Sequence, residues 1–436
     1  MTRPNILYMH SHDTGRYIQP YGHAVATPNL QKLAEQGTLF RQAFCAGPTC
    51  SPSRAALLTG QSPHSSGMIG LAHRGFRLKD YNQHIVHMLR EAGYETTLCG
   101  VHHEAKDVKQ IGYGRVIAMP NRNAHTVAQE AVKFLSESPR QPFFLAVGCG
   151  ETHRAYPPPC PEEDPRHKRP PAPLPDAPET RYDVAGFNTL ARAMDRAWGQ
   201  VLAALDSTGL AANTLVICTT DHGIAFPGMK CNLTDHGIGV MLIVRGPGGF
   251  DGGKAVDAMV SHIDVFPTIC ELLEIPAPAW LEGKSILPLV RGQAEQINEE
   301  IFSEVTYHAA YEPMRCIRTA RYKYIRRFGD RRRPVLANCD DSPSKDLWMR
   351  HHWRDRPVPQ EELYDLVFDP NESCNLAGDE ARAKELAELR RRLEQWMTRT
   401  NDPLLAGFVA PPPGAIVSDS DDVSPRDVDR RGGRKG

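Results

Sequence analysis

Four short runs are apolar almost throughout: Asn5 to Met9, Thr96 to Cys99, Phe143 to Val147 and Leu215 to Thr219. Between them lie stretches with helical spacing, Asn29 to Glu35, Val127 to Leu135 and Leu190 to Leu205. A strand that is apolar on both faces must be covered on both faces, which is the condition of strands in a mostly parallel sheet flanked by helices. The pattern therefore predicts an α/β fold with a large, mostly parallel central sheet. In such sheets chemistry gathers beyond the carboxyl ends of the strands, so the loops after Met9, Cys99, Val147 and Thr219 are the places to look.

The 436 residues suffice for one large α/β domain and a smaller companion. We expect a catalytic domain over 1–298 and a smaller C-terminal α+β subdomain over 299–410. The subdomain should carry strands at Met314 to Thr319 and Tyr322 to Arg326 and a charged helix from Asp379 to Trp396. Tyr156 to Pro178 is dense in proline and charge, so it should be a surface excursion, placed to wall a site. Residues 411–436 combine Pro411-Pro412-Pro413, an Asp-Ser run and an Arg-Gly end, the composition of a disordered charged tail.

Charge excludes some partners. With 51 Lys+Arg against 52 Asp+Glu there is no global field to draw the chain onto nucleic acid or an anionic membrane, so anion binding must be local. The run Ile6 to Met9 is far shorter than a secretory h-region, and no apolar stretch has bilayer length, so the expected address is cytoplasmic. The eleven cysteines follow neither a paired framework nor a Cys-x-x-Cys zinc pattern and should be reduced.

The informative string is Pro48-Thr49-Cys50-Ser51-Pro52-Ser53-Arg54-Ala55-Ala56-Leu57-Leu58-Thr59-Gly60. A thiol stands at the start of a helix, where free backbone N–H groups and Arg54 can stabilise an anion. An isolated cysteine in that position is more often a buried structural residue than a nucleophile. Two Asp-His pairs at predicted strand ends, His12-Asp13 and Asp221-His222, offer hard oxygens and imidazole nitrogens suited to a divalent metal.

Over its full length the Cys50 string resembles the signature of the type I sulfatases of the alkaline phosphatase superfamily. In that family the cysteine of Cys-x-Pro-x-Arg is oxidised to formylglycine by a separate maturation enzyme, and the hydrated aldehyde supplies the nucleophilic hydroxyl. The strand ending at Asp13, Thr27-Pro28-Asn29-Leu30, and Thr219-Thr220-Asp221-His222-Gly223 are similar to further family elements, in order. The resemblance implies an alkaline-phosphatase-like fold and a hydrolase of sulfuric esters or sulfamates on a small sulfated substrate, a sugar by preference.

By the same resemblance Cys50, Arg54, His103, His153 and Lys230 are catalytic, while His12, Asp13, Cys50, Asp221 and His222 hold one divalent ion. Calcium is the family default; the histidines lean toward manganese or zinc. Two departures stand out: His12 replaces the usual acidic residue, and Val101 replaces the usual lysine two residues before His103. Glu304 to His308 with Tyr311 to Arg315 is similar, more narrowly, to the heparan N-sulfatase (sulfamidase) branch. Arg154 and Arg315 are candidate forks for a second anionic group of the substrate, and the region from Tyr307 to Arg315 is expected to narrow the mouth above Cys50. The same constellation also suits phosphonate monoesters or phosphodiesters, and an inactive binder of sulfated ligands is the reading from another class. Oligomeric state is left open, a homo-oligomer included.

Overall fold

A computed structural model describes residues 3–432. The N-terminal part runs in chain order through β1 (Asn5–His10), α1 (Pro28–Gln36), β2 (Thr38–Phe40), α2 (Cys50–Thr59), α3 (Ile85–Glu91), β3 (Glu95–Gly100), β4 (Arg115–Val116), α4 (Ala124–Ser136), β5 (Phe143–Gly148), α5 (Pro178–Ser207), β6 (Thr214–Thr219), β7 (Leu242–Arg245), β8 (Lys254–Val256) and α6 (Val265–Leu272). The strands form one eight-stranded sheet in the order β8-β2-β7-β6-β1-β5-β3-β4. The five from β6 to β4 are parallel, whereas β7 runs antiparallel to both of its neighbours.

Each predicted inner strand is present, one or two residues longer than its apolar run. Alternate side chains feed two separate cores. Leu7 and Met9 of β1, Leu145 and Val147 of β5, and Val216 and Cys218 of β6 meet α1, α4 and α5, where Trp198 is buried. Ile6, Tyr8, Phe144, Ala146, Leu215 and Ile217 meet α2, α3 and α6 on the other face. Burial of each large apolar side chain is worth roughly 1.5–3 kcal/mol against leaving it in water, and both faces of every inner strand collect it.

Register sets the level of the site. His10 pairs with both Gly148 and Thr219, and Gly148 pairs with Gly100, so the carboxyl ends of β6, β1, β5 and β3 form one row. The loops that leave this row carry Asp221, Asp13, His153 and His103. Gly148 is required in the row, because a Cβ there would come within 2.3 Å of the His10 ring.

The C-terminal part contains β9 (Glu300–Tyr307), β10 (Tyr311–Thr319), β11 (Tyr322–Arg327), α7 (Pro343–Arg350), β12 (Glu361–Asp365) and α8 (Ala383–Arg399). Its four strands form an antiparallel sheet in sequence order. On one face Ile317, Tyr324 and Leu363 bury the apolar stripe of α8, Leu386, Leu389, Leu393, Trp396 and Met397. From the other face Ile301, Val305, Met314 and Ile325 join the same cluster as α2 and α6, so the subdomain packs directly behind the Cys50 helix.

Two expectations need correction. The segment after Pro411 does not hang free as far as it is described: Ser418 bridges Ala310, Ile416 N–H donates to Arg74 O, and Ser418 and Ser424 are buried. A polar segment can be held by side chains that bind its backbone, here Arg74 donating to Pro425 O and Lys345 to Val423 O, which composition does not reveal. Residues 433–436 of that expected tail lie outside the described residues. Tyr307, expected at the mouth of the site, is instead buried against Phe76 and Tyr311, its hydroxyl donating to Val409 O. The proline-rich segment is an excursion as expected, with one short turn at Pro165–His167. All eleven cysteines are unpaired. Among the described residues no helix is long and apolar enough to cross a membrane.

His84 precedes α3 and caps it, its Nδ1 accepting from the Val86 N–H at 3.3 Å, and burial pushes its pKa down to about 3 from 6.5. Between those values the unfolded chain binds more protons than the folded one, so stability rises with pH across the window. The denaturant midpoint should therefore fall as pH is lowered from 6.5 toward 4, and fall less in His84→Asn, which retains a capping acceptor. Equal falls in the two proteins would remove His84 from the account.

Candidate active site

α2 begins at Cys50, and all ten of its residues are buried. Its first turn carries the thiol, and Arg54 lies one turn later, its guanidinium wedged under the sheet end. Arg54 Nη2 donates to Asp221 Oδ2 at 2.9 Å and to Ser11 O at 2.7 Å, while Nη1 donates to His10 Nδ1. Arg54 Nε has no hydrogen-bond partner. Ser53, next to it, donates to the Asp221 carbonyl, so the helix and the loop after β6 are tied at both side chain and backbone.

Asp13 leaves β1 in the left-handed region, with φ of 55°, a conformation that Asp tolerates better than most residues. That turn aims its N–H at Asp221 Oδ1, at 2.8 Å. Thr152 Oγ1 fixes the same turn by donating to Asp13 O. The two loops touch at Gly15, whose N–H donates to His222 O at 2.9 Å and where a Cβ would come within 3.2 Å of Gly223 Cα.

The buried carboxylates are surrounded by nitrogen. His12 Nδ1 lies 2.9 Å from Asp13 Oδ1 and 3.1 Å from Asp221 Oδ2. Lys230 Nζ lies 2.9 Å from Asp13 Oδ2. His222 Nδ1 donates to Gly223 O at 3.0 Å, which leaves the Nε2 lone pair facing Asp13 Oδ1 at 3.3 Å and Cys50 Sγ at 3.4 Å. Burial alone would raise Asp221, but His222, Arg54 and His12 together hold its pKa far below the usual carboxylate value. Asp13 is likewise held down, against burial, chiefly by Lys230.

Ligand atoms of Asp13, Cys50, Asp221 and His222 lie within 4.8 Å of one another, as do those of His12, Asp13, Cys50 and His153. The donor set fits a divalent cation. Two carboxylates and an imidazole lone pair face one another in a buried space, an arrangement of acceptors that a shared cation resolves. The Gly223 carbonyl fixes the His222 tautomer in the way that outer partners orient metal-binding histidines.

His103 Nδ1 lies 3.3 Å from His12 Nε2, and burial keeps the His103 ring neutral, its pKa well below the ordinary value. His153 is the most open member, 38% exposed, with Nε2 at 3.9 Å from Asp13 Oδ2. Its Nδ1 donates to Arg154 O at 2.5 Å, so Nε2 is the nitrogen left to exchange a proton. His12, His103 and His153 line a cleft of about 540 Å³, together with Val101, Arg122, Glu151 and Leu190. Cys50 is 4% exposed, and burial pushes its thiol well above the ordinary value. As a thiol it is protonated and inert at neutral pH.

Thus the structure brings every sequence-predicted site residue together: Cys50, Arg54, His103, His153 and Lys230 with His12, Asp13, Asp221 and His222. It does not bring the two candidate forks. Arg154 lines the cleft, but its guanidinium is engaged by Asp183 at 2.6 and 2.7 Å and lies over Tyr156. Arg315 is wholly buried between Asp402, Glu304 and Val305 O. Sequence reasoning also missed three neighbours. His10 receives Arg54, His308 is buried close enough to Lys230 to be kept neutral in part by it, and Asp340 lies 3.0 Å from Lys230. His10 sits in the first motif and could have been found there; Asp340 carries no motif.

Residues 4–275 match the sulfatase family model. The chain belongs to the sulfatase family. Residues 229–347 of this sulfatase also match a second model, N-sulphoglucosamine sulphohydrolase, C-terminal. The chain is 30% identical to human N-sulphoglucosamine sulphohydrolase, over 94% of this chain and 92% of the relative. It is 26% identical to the Delta 4,5-hexuronate-2-O-sulfatase of Bacteroides thetaiotaomicron, over 92% and 90%. Among solved structures, a 2-O GAG sulfatase superposes with a TM-score of 0.72 at 23% identity, over 98% of this chain and 99% of that one. The fold is therefore that of the sulfatases, with the smaller antiparallel subdomain included.

The charge balance in this sulfatase predicts a stability cost at one position. Arg54→Met removes the buried partner of Asp221 and should destabilise the metal-free protein by about 3–5 kcal/mol, the usual penalty for orphaning a buried ion. Urea denaturation measures it; a loss below about 1 kcal/mol would show that Asp221 does not depend on Arg54.

Proposed function

We propose that this sulfatase cleaves an N-sulfate or O-sulfate from a sugar, by attack of a hydroxyl carried on an oxidised Cys50 and with the help of one divalent cation. The observation that carries this reading is the position of residue 50. It begins a buried helix, 3.4 Å from His222 Nε2, with Arg54 and Lys230 beside it and a thiol too protonated to act as it stands. Oxidised to formylglycine and hydrated, residue 50 would supply a geminal diol, and a cation held beside it would supply Lewis acidity toward the attacking hydroxyl and the sulfuryl oxygens.

The chain's own residues supply the rest. Asp13, Asp221, His222 and residue 50 would hold the cation, and His12, whose Nδ1 faces both carboxylates, completes the set. Arg54 and Lys230 stabilise the charge that develops on the sulfuryl oxygens. His153, open to the cleft on its Nε2 side, protonates the leaving amine or alcohol, and His103 orients the attacking hydroxyl. The similarity to the N-sulphoglucosamine sulphohydrolase model over 229–347 favours an amine as leaving group. The nitrogen donors His12 and His222 favour manganese or zinc over calcium. A maturation enzyme that oxidises Cys50 is the partner this chemistry requires.

Peptide mass measurement of the Cys50 peptide should find an aldehyde that reacts with hydrazides, and Cys50→Ala should lose at least about a thousand-fold in turnover, the scale of losing a nucleophile. Fully active protein with an intact thiol would end the proposal. In a parallel assay of N-sulfoglucosamine, a sugar O-sulfate, an aryl sulfate and an aryl phosphonate monoester, His153→Ala should harm N-sulfate cleavage most, because an amine depends most on protonation. A specificity constant highest for the phosphonate by a wide margin would reassign the enzyme to the phosphonate hydrolases.

For the cation, elemental analysis should find about one ion per chain, and chelation should abolish activity that manganese or zinc restores better than calcium. Asp13→Asn should cost more than His12→Gln, since it removes an anionic ligand. Restoration by calcium alone would take the histidines out of the ligand set.

A further inference from the structure

Lys230 has two anionic partners. Its Nζ lies 2.9 Å from Asp13 Oδ2 and 3.0 Å from Asp340 Oδ2, and its side chain is 3% exposed. Asp13 belongs to the strand-end cluster. Asp340 comes from the C-terminal subdomain, on the loop between β11 and α7, with its side chain 17% exposed. Against the effect of burial, Lys230 first and His153 next keep Asp340 ionised.

We propose that Asp340 is a positioning residue that holds Lys230 off Asp13, so that Asp13 can give its carboxylate to the divalent cation. The inference rests on the metal-dependent reading above. The reason is competition for one carboxylate. A buried ammonium must keep an anionic partner. With Asp340 present, Lys230 can remain paired when Asp13 turns to a cation, and can still point toward residue 50. With Asp340 neutral, the remaining carboxylate within ion-pair distance of Lys230 among the described residues is Asp13, and the ammonium then occupies an oxygen that the cation needs.

The loop is built to hold that carboxylate still. Lys345 Nζ, buried beneath it, donates to Cys339 O at 2.7 Å and to Leu336 O at 3.0 Å and pairs with Asp341 at 3.1 Å. Ser342 Oγ accepts from Lys345 N–H at the start of α7. The last described stretch of chain buttresses the same loop, with Ser424 Oγ donating to Asp341 Oδ2 at 2.6 Å and Val423 O accepting from Lys345 at 2.6 Å. Asp340 itself receives no hydrogen bond from this scaffold, so its carboxylate is left for Lys230.

The test is Mn²⁺ affinity, measured by calorimetric titration on full-length protein for the wild type, Asp340→Asn, Lys230→Met and the double variant. Asp340→Asn should bind Mn²⁺ on the order of ten-fold more weakly, the scale of losing a partner just outside a metal's ligands. Lys230→Met should bind at least as tightly as wild type, and adding Asp340→Asn to it should cost nothing further. A purely structural role for Asp340 would instead weaken binding equally with and without Lys230, and that result overturns the proposal, as does wild-type affinity in Asp340→Asn. Should Asp340→Asn fail to fold, Lys230→Met still decides, since weaker binding in that variant alone contradicts the competition. A wild-type protein that binds no divalent cation would defeat the metal reading itself, a different result from a cation bound without regard to Asp340.

Discussion

The pair formed by Arg54 and Asp221 is the joint on which the site depends. One guanidinium reaches a carboxylate, a backbone carbonyl of the β1 loop and the His10 ring, and so links the Cys50 helix to two strand ends at once. Such a pair is expensive to bury, and hydrogen bonds to its other donors and acceptors offset part of the cost, although Arg54 Nε has no partner. Here Asp221 Oδ1 accepts from the N–H groups of Asp13 and His222 while Oδ2 faces Arg54 and His12. The carboxylates stay ionised although they are buried, the state in which they can hold a cation.

The central sheet was legible because its inner strands are apolar on both faces, and the site because its residues sit in short motifs at the ends of those strands. Register then does what spacing alone cannot, setting His10, Gly148, Thr219 and Gly100 in one row. Charge partners were not legible. Arg154 and Arg315 read as free cations, yet their carboxylates, Asp183 and Asp402, lie 29 and 87 residues away. A fork is available to substrate only if no internal anion takes it, and the fold decides that. The segment after Pro411 reads as a tail for a related reason: its apolar residues are few, yet Ala415 and Val417 pack beside Phe76 and Tyr307, and hydrogen bonds from Arg74 and Lys345 that leave no trace in its own composition hold the backbone.

The C-terminal subdomain does more than cover an edge. Its sheet shares a hydrophobic cluster with the Cys50 helix, and a network of His64, Glu304, Arg315 and Asp402, all buried, crosses between the two parts. Glu304 accepts both the His64 N–H and the His64 side chain. Three charges of unlike sign and one imidazole at such a boundary resist sliding, because any shift leaves an ion without its partner. The loop that carries Asp340 therefore meets Lys230 in a fixed frame, although the two residues are far apart in the chain.

For the proposed oxidation of Cys50, the burial of its helix implies an order of events in the life of the chain. All ten residues of α2 lie inside the protein, and Cys50 itself is 4% exposed. An enzyme that oxidises this thiol must reach Cys50 and its neighbours Pro52 and Arg54, which the folded molecule withholds. If residue 50 is oxidised as proposed, that step belongs to the interval between synthesis and folding, and two clocks would run against each other on a newly made chain. A molecule that folds first would keep its thiol and look native, with the charge network intact and no chemistry to perform.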